Sequence, residues 1–418
     1  MKKVISIVLS LALVLSCAAI LASCSKDPAA TGDATTAASG DATTAAPVTG
    51  DVIKIGIFEP ASGDNAAGGK QEVLGMRYAH SLKNSVTVAG KTYSIELVEV
   101  DNQTDADKAP SAAQQLVASG VNIVLGSYGS GASMAGGEIF KDAKIPAIGC
   151  SCTNPGVTSE NEYYFRVCYL DPFQGTVMAS FAQDSGCQKV LVLTQLGDDY
   201  STGLGKFFVS AAKKIGLEVV ENQFAAGTTD YTSYISTAVS SGCDAIFSPT
   251  STAVASLLVK QCVDNGFTGK VFAGDTWENS AIIDAAKGSN LYIACSTFFD
   301  ESDANAADFV TGYKAWLNAD ATRLTNNGGN DIVAAVSALG YDAYNVALAA
   351  LEKSASLDSA DILASLAAIN SEEAAVKGVT GTIYFDEIGD AVRDLAYIKS
   401  VDTQAGAFKF EKVQTVAE

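Results

Sequence analysis

The sequence predicts an α/β fold of two similar lobes, in which each lobe is a parallel sheet sandwiched by helices. From Val52 onward, short apolar runs rich in Val and Ile alternate with stretches of helical periodicity. This alternation fills one block up to Ile148 and begins again at Val190. Because strand–helix alternation builds parallel βαβ units, two such blocks predict two lobes.

The elements of each block follow from these runs in chain order. In the first block we predict strands at 52–58, 94–100, 121–125 and 145–148, and helices at 69–83, 110–119 and 134–142. In the second block we predict strands at 190–194, 218–222, 245–248 and 271–273, and helices at 203–215, 231–240 and 254–265. Apolar residues at three- and four-residue steps predict a further long helix at 331–351, packed on the first lobe.

The composition excludes several classes of function. The 418 residues include 47 Asp plus Glu against 27 Lys plus Arg, a net charge of -20 that disfavours binding to nucleic-acid phosphates. A single histidine, His80, leaves little material for a histidine-rich zinc site or a Ser-His-Asp triad. We therefore expect no enzyme, no metal site, no cofactor and no nucleic-acid partner.

The N-terminus resembles a bacterial lipoprotein signal. Lys2 and Lys3 precede an apolar run that ends at Ser23 and Cys24. We predict a signal peptide at 1–23, lipid attachment at Cys24, and a flexible Ala/Thr/Gly/Asp tether within 24–51. The protein would then be extracytoplasmic and anchored by its lipid to the outer face of the cell membrane. A plain secretory signal and an uncleaved N-terminal helix are the alternatives.

Two loops after first-lobe strands carry the features of a ligand site. The loop 126–133 opens a helix and contains Tyr128 and Ser130, and the loop 149–155 contains Ser151 and Thr153. Ligands bind beyond the carboxyl ends of parallel strands, where hydroxyls and free helical N–H groups suit a carboxylate. Each loop alone could be an ordinary turn.

The motifs of the chain from Val52 onward resemble one family, the substrate-binding proteins of branched-chain amino-acid ABC transporters, of periplasmic-binding-protein type I fold. The matching motifs are Ile53-Lys54-Ile55-Gly56-Ile57 with Ala61-Ser62-Gly63, the Ser130 loop, Ser151-x-Thr153-x-Pro155, Tyr163 with Phe165-Arg166, Asp171, Gln174-Gly175, Tyr200-x-x-Gly203, Gly340-Tyr341-Asp342-Ala343 and Gly378-x-x-Gly381-x-Ile383-x-Phe385-Asp386.

The resemblance implies roles for individual residues. Those implied to hold the α-carboxylate and α-amino group of a ligand are Ser130, Ser151 and Thr153, with Tyr200 and the carboxylate of Asp275 across the cleft. Asp275 could instead be a helix N-cap, and Tyr200 a packed surface tyrosine.

Two aromatic residues depart from the leucine and isoleucine binders of the family. Tyr128 and Trp277 are therefore candidate contacts for the ligand's side chain, and Trp277 could equally be a core residue of its lobe.

The resemblance also implies a hinge of three crossings. Lobe 1 would comprise 52–170 and 299–383, and lobe 2 would comprise 171–298 and 384–418. The implied protein is a monomer that captures a small amino-acid-like ligand, of branched-chain or hydrophobic type, and presents it to the membrane permease. The alternatives are a ligand sensor for a signalling partner and a binder of an amide, urea or carboxylate compound.

Overall fold

The computed structural model describes residues 51–415. The predicted signal peptide, Cys24 and the tether up to residue 50 lie outside the described residues. Within 51–415, every helix is too short or too polar to cross a lipid bilayer. The two predicted sheets are both present, so the two-lobed α/β prediction is confirmed.

The first sheet contains six strands in the order β2-β3-β1-β4-β5-β6. They are β1 (Val52–Glu59), β2 (Ser85–Val88), β3 (Lys91–Asp101), β4 (Ile123–Leu125), β5 (Ala147–Gly149) and β6 (Tyr164–Arg166). All neighbouring strands are parallel except the hairpin pair β2 and β3. Ile53, Ile55 and Phe58 of β1 are buried, as expected for a central parallel strand covered on both faces.

The second sheet contains seven strands in the order β15-β14-β11-β10-β9-β7-β8. They are β7 (Lys189–Gln195), β8 (Glu218–Phe224), β9 (Ala245–Phe247), β10 (Lys270–Ala273), β11 (Tyr292–Thr297), β14 (Leu395–Asp402) and β15 (Ala407–Thr415). A separate small hairpin pairs β12 (Val376–Gly378) with β13 (Gly381–Ile383). β14 and β15 run antiparallel at one edge of this sheet, and the strands from β7 to β11 are parallel to one another.

Helices connect these strands and cover both sheets. In chain order they are α1 (Ala66–Leu82), α2 (Ala109–Ala118), α3 (Ser130–Asp142), α4 (Asp171–Asp184), α5 (Asp199–Lys214), α6 (Thr232–Ser240), α7 (Thr252–Asp264), α8 (Ser280–Ala286), α9 (Ala307–Asn318), α10 (Ala321–Asn326), α11 (Ala335–Lys353) and α12 (Ser359–Ala367). The sequence predicted seven of them. It predicted α3 and α5 four residues shorter at their N-termini, because the first turns of these helices, opened by Ser130 and by Asp199, lack the apolar residues of the helical pattern.

The chain passes between the sheets at three places. The chain leaves the first sheet after β6 and forms β7 to β11 of the second sheet. It leaves the second sheet after β11 and re-enters it at β14. The predicted lobe boundaries at 170/171, 298/299 and 383/384 lie between these strands and stay predictions. A buried ion pair between Arg166 and Asp390 ties β6 to the segment of the third passage.

The long helix α11 packs against α1, as the apolar pattern predicted. Glycines make the close approach possible. A Cβ atom on Gly75 would overlap the backbone carbonyl of Ser337, and a Cβ atom on Gly340 would overlap the carbonyl of Glu72. Because the obstacles are backbone atoms, neither clash can be relieved by a side-chain rotation.

We predict that Gly75→Ala lowers the free energy of unfolding by about 1–3 kcal/mol, because the added methyl group forces the two helices apart. Urea denaturation followed by circular dichroism measures the change. The matched control is Gly312→Ala on α9, where the nearest atom is the hydroxyl end of the Tyr78 side chain, which can move. Equal stability of Gly75→Ala and the wild type would contradict this packing.

Candidate functional site

The first-lobe part of the site is built by the loops that follow β4 and β5. Ser130 is the first residue of α3, and Gly129 precedes it in an extended conformation. The first N–H groups of a helix have no partner within the helix. The Ser130 hydroxyl accepts a hydrogen bond from the backbone N–H of Asn154 (3.3 Å), which joins the two loops.

Ser151 and Thr153 lie in the loop after β5, and both are buried. The Ser151 hydroxyl donates to the carboxyl group of Glu72, which belongs to α1. The Thr153 hydroxyl oxygen is buried and has no hydrogen-bond partner within the described residues. The Thr153 hydroxyl acts on the neighbouring Asp171 carboxyl group, whose pKa it lowers against the larger effect of burial.

The second-lobe part of the site centres on Asp275. Tyr200 donates from its hydroxyl to Asp275 Oδ1 (3.0 Å), and the Gln174 amide donates to the same oxygen (2.9 Å). Gln174 also accepts from the Asp275 backbone N–H (3.1 Å). Asp275 is the first residue of a short 3₁₀ turn rather than its N-cap, which is Gly274.

Tyr200 is held in place by the start of its helix. It lies in the first turn of α5, where Asp198 is the N-cap and accepts from the Ser201 N–H (2.7 Å). The Tyr200 side chain is buried and its hydroxyl is bonded within the site, so it is not a packed tyrosine with a surface hydroxyl.

Tyr128 and Trp277, the two aromatic residues that differ from the leucine and isoleucine binders, lie in different surroundings. The Tyr128 ring lies against Gly68, where a Cβ atom would overlap the ring, and its backbone N–H donates to Glu59 (2.8 Å). Trp277 packs in the apolar core of the second lobe, which is the second role that the sequence left open for it. The indole N–H of Trp277 has no partner within the described residues.

A cavity of about 570 Å³ lies between the lobes. Tyr128 and Ser130 line it from the first lobe, and Tyr200 lines it from the second. The other predicted site residues, Ser151, Thr153, Asp275 and Trp277, do not line this cavity. A larger cavity of about 810 Å³ lies between Thr158 and Gly389 and is lined by none of the predicted site residues.

Carboxyl groups dominate the buried space between the lobes. Four of them are at most 3% exposed: Glu59, Glu72, Asp171 and Asp275. Burial raises the pKa of Glu72 and of Asp275 to about 7 and that of Asp171 to about 8. The charge of Asp275 raises the pKa of Glu72 further, so the acidic groups of the two lobes lie close enough to repel each other.

The buried basic residues between 51 and 415 are already engaged elsewhere. Arg166 pairs with Asp390, and Lys399 pairs with Glu278 and Asp300. None of the four buried carboxyl groups therefore forms an ion pair among the described residues, although the charge of Arg166 lowers the pKa of Asp171 against the larger effect of burial. A ligand with an ammonium group would supply a cationic partner.

Glu59, Glu72 and Cys150 place three potential metal-ligating atoms within 4.8 Å of one another. Burial raises the pKa of the Cys150 thiol well above its ordinary value, so sulfur stays protonated and is a poor metal ligand. Burial and the charge of Glu72 also raise the pKa of Glu59 well above its ordinary value. The two carboxyl groups are therefore best described as a pair that shares a proton.

Four residues of the site had no role predicted from the sequence: Glu59, Glu72, Asp171 and Gln174. Asp171 and Gln174 belong to the motifs that carry the family resemblance, so their roles could have been sought there. Glu59 directly follows a predicted strand, which is a weak signal for a site. Glu72 is a charged residue inside a helix, and it is buried by parts of the chain distant in sequence, the Ser151 loop and α11.

The raised carboxyl pKa values predict how stability depends on pH. A group whose pKa is raised on folding favours the folded state at pH values below its ordinary pKa, and this contribution is lost as pH rises through the folded value. We therefore expect the free energy of unfolding of the ligand-free protein to fall between about pH 5 and pH 8. Denaturation midpoints measured across this range check it.

Glu72→Gln should make this fall shallower, because the amide keeps the shape of the side chain and carries no titrating proton. Glu138→Gln, on the exposed face of α3, is the matched control and should keep the wild-type slope. A midpoint that rises over this range, or a Glu72→Gln slope equal to that of the wild type, would contradict the burial of an ionisable pair.

Comparison with known proteins assigns the family. Residues 52–405 match the model of the periplasmic binding proteins. A Leu/Ile/Val-binding protein homologue of Brucella melitensis is 26% identical over 345 residues, which are 81% of this chain and 88% of that protein.

Two solved structures are similar over almost their whole length. A leucine-binding protein from Thermotoga maritima is 31% identical, with a TM-score of 0.76, and the match covers 87% of this chain and 99% of that one. A branched-chain amino-acid transporter substrate-binding protein from Streptococcus pneumoniae, in complex with isoleucine, is 26% identical with a TM-score of 0.74, covering 88% and 99%.

The family is extracytoplasmic, and its members are substrate-binding proteins rather than enzymes. The fold, the cleft between two lobes and these similarities agree with one another. The chain belongs to the periplasmic binding proteins, as a substrate-binding protein of the branched-chain amino-acid ABC-transporter type.

Proposed function

We propose that this protein captures a small amino acid, or a closely related zwitterion, between its two lobes and presents it to the membrane permease of an ABC importer. The observation that carries the proposal is the buried Asp275 carboxylate, which is oriented by Tyr200 and Gln174 and lacks a cationic partner among residues 51–415. An α-ammonium group is the partner that this arrangement suits.

The opposite end of the ligand would lie at the first lobe. The N-terminus of α3 and the hydroxyls of Ser130 and Thr153 offer donors for an α-carboxylate. Ser151 would act through its backbone, since its hydroxyl is already bonded to Glu72. Tyr128 would limit the space for the ligand's side chain. Trp277 packs in the core of the second lobe, so its role would be to stabilise that lobe. The group of Trp277 that could contact the ligand is its unpaired indole N–H.

The lobes would close around the ligand because only the closed form makes all of these contacts at once. Hydrogen bonds already join the lobes across the cleft. The Asn154 amide donates to the Asp199 carbonyl (2.9 Å), and the Asn279 amide donates to the Gln71 side chain (3.1 Å). We further propose that the protein acts as a monomer with the lobe boundaries predicted above.

A thermal-shift screen of free amino acids tests the proposal, with branched-chain amino acids as the first candidates because the relatives that bind them are similar. A ligand at 100 times its dissociation constant adds about 2.7 kcal/mol to the free energy of unfolding. We expect a rise of a few degrees in the melting temperature. The absence of a shift for every amino acid would contradict the proposal.

Asp275→Asn should weaken the binding of the best ligand by at least about tenfold, because the amide cannot form an ion pair with the ammonium group. Isothermal titration calorimetry measures the affinity. The matched control is Asp284→Asn, which removes an exposed carboxylate from α8. Unchanged affinity of Asp275→Asn would remove this residue from the site.

We also propose that Cys24 carries the lipid anchor, on the evidence of the N-terminal sequence. Cys24→Ser should move the protein from the membrane fraction of the producing cells into the soluble fraction. Immunoblots of the two fractions measure the distribution. Membrane retention of Cys24→Ser would contradict lipid attachment at this residue.

A further inference from the structure

The lining of the cavity between the lobes has an outer part, in which Asp64, Asp107 and Asp199 are exposed to solvent. Five aspartates line this outer part. Asp64, Asp105 and Asp107 come from the first lobe, and Asp198 and Asp199 come from the second. We call this acidic region the cleft mouth.

One basic residue, Lys108, lies in the same lining. Its ammonium group is already engaged, because it pairs with Asp105 (3.1 Å) and donates to the Gln103 side chain (2.9 Å). Among the described residues, the other four aspartates of the cleft mouth form no ion pair. The cleft mouth thus carries an excess of negative charge contributed by both lobes.

These charges oppose each other across the cleft. Burial raises the pKa of Asp198, and the charges of Asp199 and of Asp64, in the opposite lobe, raise it further. The Asp199 carboxylate lies beside Gly131 at the start of α3, 3.1 Å from the position that a Cβ atom would take there. Asp64 and Asp198 thus place like charges near each other from opposite lobes, which is unfavourable unless a cation lies between them.

An unpaired acceptor in the same lining points to the same kind of ligand. Asn65 lines the cavity, is only 7% exposed, and its side-chain carbonyl oxygen has no hydrogen-bond partner among residues 51–415. The hydroxyl oxygen of Thr104, also in the lining, is likewise buried without a partner. A buried carbonyl oxygen beside carboxylates requires a donor, and an ammonium or guanidinium group provides several.

We infer that the ligand carries a second cationic group, at the end of its side chain, and that this group binds at the cleft mouth between Asn65, Asp64 and Asp199. The inference rests on the proposed function, since it assumes that the α-ammonium and α-carboxylate groups occupy the inner site. The ligand class is then a basic amino acid with a flexible side chain that ends in an amine or guanidine, rather than an aliphatic one.

Calorimetric titration with L-lysine and L-norleucine tests the inference, because the two differ only in the terminal ammonium group. L-lysine should bind at least about tenfold more tightly, as expected for one charge-assisted contact at a partly buried site. Its advantage should shrink as the salt concentration is raised from about 0.05 M to about 0.5 M. L-arginine, L-ornithine and L-leucine complete the panel.

Asp64→Asn and Asp199→Asn should each weaken L-lysine binding severalfold and leave L-norleucine binding unchanged. Asp284→Asn, which removes an exposed charge away from the cavity, should change neither. Tighter binding of L-norleucine or L-leucine than of L-lysine would overturn the inference and leave the proposed function standing. Equal losses for both ligands in the two variants would also overturn it. No binding of any amino acid would overturn both.

Discussion

The site depends on an imbalance of charge in the space where the two lobes meet. Each lobe contributes buried carboxyl groups, Glu59 and Glu72 from the first and Asp171 and Asp275 from the second. The described basic residues at comparable depth, Arg166 and Lys399, are committed to Asp390 and Glu278. A buried carboxylate without a partner is costly, so the interface between the lobes is complete only when a cationic group joins it.

The same imbalance connects the fold to the proposed function. Parallel strands deliver their carboxyl-terminal loops to one edge of each sheet, and the two edges face each other across the cleft. A ligand placed there can accept from the α3 N-terminus and donate to Asp275 at the same time. Because the two groups belong to different lobes, the amphoteric ligand proposed above would stabilise the closed arrangement, whereas a simple anion or cation would satisfy one lobe.

Much of the fold could be predicted from the sequence, because the β-branched runs and the helical periodicity are local signals. The antiparallel strands β14 and β15 could not be predicted in the same way, since β14 pairs with β11 across a long intervening stretch of chain and β15 pairs in turn with β14. The loops that carry Ser130, Ser151 and Thr153 could be found because they follow strands. Glu72 could not, because contacts far away in the chain bury it: Ser151 meets its carboxyl group and Gly340 of α11 lies against its backbone.

The most direct test of the charge imbalance is the number of protons exchanged when the ligand binds. Calorimetric titration of L-lysine, and of L-leucine for comparison, in two buffers of different ionisation enthalpy measures this number near pH 6.5. An ammonium group that lies against Asp275 stabilises its ionised form, so binding should release protons into the buffer. Binding without proton exchange, or with proton uptake, would contradict the claim that the ligand neutralises buried carboxyl groups between the lobes.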